Sequence, residues 1–303
     1  MPIGNLIRSI RINKGISQAE ACSNVVTQSN YSKFELGKID VSSTALIKII
    51  NNLDISLDEF FFLYDQEHED ILNLLINKFF TIPLNNPNEL QAFRNNAINF
   101  MKKNEINNNT LQNIIQLSFG LEEISITEDY EKASKYAAPI WNSLQKRDRW
   151  YLREIIILNV ILYIFPIETA EEIVKRSVRF LNEYKEHKSQ ILVKLNLYIN
   201  LALLHIKNTN FNEAIHYLNL AINTCPDHSY EFYKKLSQMR LAYCKANINE
   251  PFEEDFISIV MYFTSTNSLA IFEHLKKESE KYCINTEFLH KMEQYEQKIK
   301  ALL

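Results

Sequence analysis

Apolar residues recur at three- and four-residue intervals through the first 65 positions. Ile3, Leu6, Ile7 and Ile10 form one stripe, with Arg8 and Arg11 beside it, and Lys14-Gly15 ends the segment. Ser17 is placed to cap a helix that starts at Gln18 and turns Ala19, Cys22 and Val26 inward. That helix must stop before Thr27, a second N-cap, which opens a helix running to Leu36 with Gly37 as its stop. On the latter, Tyr31 and Phe34 share a face and are the predicted core contacts, which leaves Gln28, Ser29, Asn30, Ser32 and Lys33 outward. Ser42 or Ser43 then caps a helix carrying Leu46, Ile47, Ile49, Ile50 and Leu53, and Ser56 caps another with Leu57, Phe60 and Leu63. Five short helices predict a small all-α domain over residues 1–65.

From residue 66 the pattern becomes a succession of amphipathic helices broken by Pro, Asn and Asp. They are predicted at 66–80, 87–104, 108–121, 127–146, 148–165, 168–186, 189–207, 211–225, 229–247, 251–265, 267–283 and 285–302. Helix pairs of this period suggest a superhelix over residues 66–303. The segment 195–228 fits a tetratricopeptide pattern best. Tyr198, Leu201, Ala202 and His205 lie on one helix and Ala214, Leu218, Ala221 and Pro226 on the next, the small alanines permitting close approach. The chain is therefore read as all-α, a five-helix head followed by a TPR-like α-superhelix.

Composition agrees, since 46% hydrophobic residues with only four glycines and seven prolines leave little punctuation for a β protein. The net charge of -4 argues against a general polyanion binder, but its distribution is uneven. Residues 1–53 carry Arg8, Arg11, Lys14, Lys33, Lys38 and Lys48 against Glu20, Glu35 and Asp40, while acids cluster from Asp54 to Asp70. There is no Gly-rich phosphate loop, GxSxG or HExxH, and the seven histidines lack ligand spacing, so no enzyme, cofactor or metal is expected. Cys22, Cys225, Cys244 and Cys283 are far apart and expected to be reduced thiols. No charged-then-apolar leader pattern occurs, and apolar runs such as Ile155 to Phe165 are too short for a bilayer, so the expected location is cytoplasmic.

The outward residues of the Thr27–Leu36 helix are short and rich in amides. Gln and Asn can bond adenine bidentately in a major groove, which makes a double-stranded DNA operator the first partner to consider. Few phosphate-facing cations per copy imply a homodimer on two half-sites. In the superhelix, Asn196 and Asn200 are four apart, near Arg149, Arg153 and Asn159 on an earlier pair and Tyr233, Ser237 and Arg240 on a later one. An Asn amide can satisfy both backbone groups of an extended peptide, and an Arg can hold a terminal carboxylate, so these eight residues form a candidate peptide clamp.

The run ISQAEACSNVVTQSNYSKFELG, followed by DVSSTALIKIINNLDISLDEF, resembles the Xre-type domain of the Rgg (MutR-like) regulators of Gram-positive bacteria over residues 3–64. That resemblance implies that Glu35 pairs with Arg11 as a structural ion pair and that Tyr31 and Phe34 are core. Gln18, Gln28, Ser29, Asn30 and Lys33 match the family's DNA-facing positions, and with Thr27 and Ser32 they make up the candidate DNA-contacting set. Rgg-like regulators, like the similar PlcR-like and PrgX-like proteins, couple this head to a TPR-like domain that binds short signalling peptides in quorum sensing, and their last helix pairs help form the dimer. The expectation is a dimeric, peptide-controlled transcriptional regulator, with a hinge near Tyr64 to Glu69. A ligand-independent dimeric repressor, or a regulator whose C-terminal domain binds a protein partner, are the rivals.

Overall fold

A computed structural model describes residues 3–67, 71–82, 86–184, 189–266 and 269–302. Among these there are seventeen α-helices and no strand. They are α1 Ile3–Asn13, α2 Gln18–Ala21, α3 Gln28–Glu35, α4 Ser43–Asn52, α5 Leu57–Glu67, α6 Ile71–Phe80, α7 Pro87–Asn104, α8 Asn109–Thr127 and α9 Tyr130–Leu144. There follow α10 Leu152–Ile161, α11 Ile167–Leu181, α12 Gln190–Lys207, α13 Phe211–Thr224, α14 Glu231–Asn247, α15 Glu253–Ser265, α16 Leu269–Tyr282 and α17 Thr286–Leu302. The chain divides into two compact units, residues 1–82 with 95–106, and residues 83–94 with 107–303.

In the first unit, α1 to α5 close around Leu6, Ile7, Ile10, Tyr31, Phe34, Ile49, Ile50, Leu53 and Phe60. Gly4 sets how closely α1 can lie on α3. A Cβ there would fall 1.9 Å from the Phe34 carbonyl oxygen, a position no side chain can share. The second helix is shorter than its spacing predicts. It ends at Ala21 because Asn24 turns left-handed at φ 57° and Asn52 Nδ2 donates to the Ala21 and Ser23 carbonyls, binding the turn to α4. Of the predicted hinge at 64–69, α5 continues to Glu67, and residues 68 to 70 lie outside the described ones.

The second unit is a stack of antiparallel helix pairs, α8/α9 through α16/α17. Ala202, Ala214 and Ala221 are fully buried where α12 meets α13. α8 runs beyond its predicted end to Thr127, and Glu128 ends it with φ 55°. The helix predicted at 148–165 starts only at Leu152, because Trp150 folds back to donate Nε1 to the Leu144 carbonyl at 2.8 Å while Arg176 covers its ring. Tyr151 N then donates to Glu154 Oε2, so the first turn of α10 is capped by its own third residue. Aromatic rings from α14, α15 and α17, among them Tyr243, Phe256 and Phe288, fill the core of the last pairs.

Candidate functional site

The helix-turn-helix is built by caps and one ion pair. Ser17 caps α2 reciprocally: its Oγ accepts from Glu20 N at 3.2 Å, and Ser17 N donates to Glu20 Oε2 at 2.8 Å. Thr27 caps α3, its Oγ1 accepting from Asn30 N at 3.4 Å. One face of α3 then buries Tyr31, Phe34 and Glu35. Arg11 donates to Glu35 through Nε at 2.5 Å and Nη2 at 3.0 Å, and also reaches the Ile16 carbonyl, so a single guanidinium ties α1, α3 and the loop before α2. Burial works against the Glu35 carboxylate, but hydrogen bonds from Arg11 and Gln18 prevail and hold its pKa below the ordinary value. The same burial and carboxylate push the Tyr31 hydroxyl up, so it stays neutral.

With those three side chains inside, Thr27, Gln28, Ser29, Asn30 and Lys33 are exposed and Ser32 is half-buried. Gln18 stands apart from this set. Its Nε2 donates to Glu35 Oε2 at 2.7 Å, so the amide is oriented from within the head and offers outward only what that bond leaves. Arg8, Lys14, Lys38 and Lys48 are all exposed.

In the second unit, side-chain bonds join alternate helices into an inner row. Asn200 Nδ2 donates to Asn159 Oδ1 at 3.1 Å, which links α12 to α10. Asn196 donates to the Leu192 carbonyl and lies close enough to the Tyr233 hydroxyl of α14 to act on its ionisation. On a curved stack the inner helices are the ones close enough to touch, so Asn159, Asn196, Asn200 and Tyr233 converge on one half-buried surface.

The other four clamp candidates do not join them as expected. Ser237 is fully buried, its hydroxyl donating back to the Tyr233 carbonyl at 2.8 Å. Arg240 is 7% exposed and committed to Glu278 of α16 by bonds of 2.7 and 2.6 Å, with the Tyr243 hydroxyl on the same carboxylate. Both are therefore corrected from ligand contacts to interior groups. Burial works against the Glu278 charge, yet Arg240 holds that carboxyl below its usual range. Arg149, just before α10, donates to Glu183 beyond α11 at 2.6 Å and so is held between paired helices. Arg153 is exposed on α10.

Sequence reasoning missed Glu278, Asn52 and Gly4. Each acts on residues distant in the chain, and only Gly4, a glycine inside an amphipathic helix, left a sequence signal. Among the described residues no group of His, Cys, Asp and Glu could hold a metal ion, and no helix is long and apolar enough to cross a membrane. Cys22, Cys244 and Cys283 are buried and Cys225 half-buried, all as thiols.

Residues 7–60 match the helix-turn-helix family model. No curated protein sequence matches the chain. Solved structures do resemble it. The SHP pheromone receptor Rgg2 of Streptococcus dysgalactiae superposes with a TM-score of 0.68 at 17% identity, covering 93% of this chain and 99% of its own. PlcR of Bacillus thuringiensis, solved with the peptide PapR7 and DNA, gives 0.63 at 17% identity over 90% and 98%. ComR of S. thermophilus, solved with DNA and its signalling peptide ComS, gives 0.61 at 15% over 92% and 99%. These neighbours are regulators rather than enzymes. The head of this chain thus matches the helix-turn-helix family model, and the chain as a whole has the fold of the Rgg, PlcR and ComR regulators.

Proposed function

We propose that this chain is a dimeric, sequence-specific DNA-binding transcriptional regulator, acting in the cytoplasm and controlled by a short signalling peptide held along the inner row of its superhelix. The observation that carries the reading is the division of α3. Its Tyr31, Phe34 and Glu35 are buried, while Gln28, Ser29, Asn30 and Lys33 face out behind a Thr27 cap. The head, residues 1–65, inserts α3 into the major groove, and residues 66–303 supply the peptide groove and the dimer contacts. Two heads are required because each offers few phosphate-facing cations.

The peptide assignment draws on two kinds of support. Rgg2 is a pheromone receptor, and PlcR and ComR were solved with peptides and DNA. Within this chain, Asn159, Asn196, Asn200 and Tyr233 place amides and a phenol along one surface, where a peptide backbone needs donors and acceptors. A peptide shifts the arrangement of the heads only if its affinity differs between arrangements. The mutual bond between Asn159 and Asn200 favours the ligand-independent repressor as a second reading, because side chains that satisfy each other ask for no ligand.

The test is operator selection from a random duplex library with the full-length protein, followed by Gln28→Ala with Lys33→Ala. Loss of the selected duplex with unchanged helicity and dimer mass is expected. Unchanged binding by the double variant would refute the interface, and unfolding would make both residues core.

A further inference from the structure

The two ends of the superhelix meet. Helices packed side by side lie roughly 10 Å apart, so in a straight stack α8 and α16, four pairs from one another, would be about 40 Å apart. Instead Glu128, at the end of α8, accepts two bonds from Lys281, at the end of α16, at 2.9 and 2.8 Å. The stack therefore curls until the C-terminal ends of α8 and α16 come within side-chain reach of each other at one edge of the stack.

A cluster of unusual composition surrounds that contact. Lys207, at the C-terminal end of α12, donates to the Tyr130 hydroxyl at 2.7 Å with its ammonium 4.6 Å from the Tyr130 ring centre. Tyr130 packs edge-on against Tyr163, and Lys281 lies over the ring of Tyr282. Lys281 and, less strongly, Lys207 hold the Glu128 carboxyl below its ordinary range, and Glu128 raises Lys281 in return. Glu278, the other acid that acts on Tyr282, is already taken by Arg240. Lys281 thus pairs with Glu128, while Lys207, hydrogen-bonded to Tyr130, lies close enough to add its charge to the same edge.

We propose that this edge is an anion-receiving subsite of the groove, filled here by the chain's own Glu128, and that a carboxylate of the ligand peptide takes its place against Lys281, with Lys207 beside it. Glu128 and Lys281 suit an exchange of this kind because they are 67% and 48% exposed, so neither is locked in by burial. This inference rests on the peptide-receptor reading.

The experiment incubates the full-length protein with three pools of random synthetic heptapeptides and identifies retained peptides by mass after size exclusion. One pool lacks Asp and Glu and has a free C-terminal acid, the second lacks them and ends in an amide, and the third contains them and ends in an amide. Retention of the first pool above the second identifies a C-terminal carboxylate as the ligand group, and of the third above the second an acidic side chain. Either result is expected to fall on the order of tenfold in Lys281→Ala and to rise in Glu128→Gln. Equal retention of all three pools, or charged-pool retention indifferent to both variants, overturns the subsite and leaves the receptor reading standing. No retention from any pool overturns the receptor reading and this inference with it.

Discussion

The head and the superhelix each contain a bidentate arginine–glutamate pair, and the two pairs treat neighbouring polar residues differently. Arg11 of α1 meets Glu35 on the buried face of α3, absorbing one acid and part of Gln18, so the remaining polar side chains of that helix are presented outward. Arg240 and Glu278 instead take up a residue that would otherwise line the groove, and nearby Ser237 bonds to its own helix. The lesson is one of geometry. A short helix packed on one side sorts its residues by periodicity alone, whereas an inner helix of a stack has neighbours on several sides, and a polar residue there finds a partner before it meets a ligand.

The comparison can be broken most forcefully at Glu278. Its replacement by Ala leaves the Arg240 charge buried without its carboxylate, and stability should fall by about 3–5 kcal/mol. Both tryptophans, Trp141 and Trp150, belong to the superhelix, so denaturant unfolding followed by tryptophan fluorescence reads this loss directly. A midpoint equal to the parent's would mean that water already reaches Arg240.

The head should respond separately. Gly4→Ala forces α1 off the Phe34 carbonyl and should cost about 1–3 kcal/mol. Faster amide hydrogen exchange across α3, with the tryptophan transition unmoved, is the expected signature. Movement of both together would show that the units unfold as one.

A smaller effect concerns acid. The folded Glu35 pKa lies below the ordinary 4.5, so its stabilisation is complete above that value and is lost as pH falls through the lower folded value. Exchange across α3 should accelerate in that window. Glu35→Gln should flatten the dependence while lowering stability at neutral pH, and an unchanged acid limb would assign it to other carboxylates. Smallest of all, Asn200→Ala removes one hydrogen bond to Asn159, about 1 kcal/mol, and should weaken peptide retention without altering operator affinity.

The sequence by itself determined the all-α class, the order of helices and the inward and outward faces of α3. These follow from the 3.6-residue period, from Ser and Thr caps, and from Gly37 as a stop, all local features that the chain carries wherever it folds. It marked the ends less well where a distant group intervened, as when Asn52 terminated α2 and Trp150 delayed α10. Only the tertiary structure decided that Asn159, Asn200, Asn196 and Tyr233 meet while Ser237 and Arg240 turn to interior partners. It alone brought Glu128 to Lys281, 153 residues away. α12 buries residues on nearly every side, so its periodicity names no groove face, and curvature, which sets which side chains converge, accumulates over all the pairs and is written in no one of them.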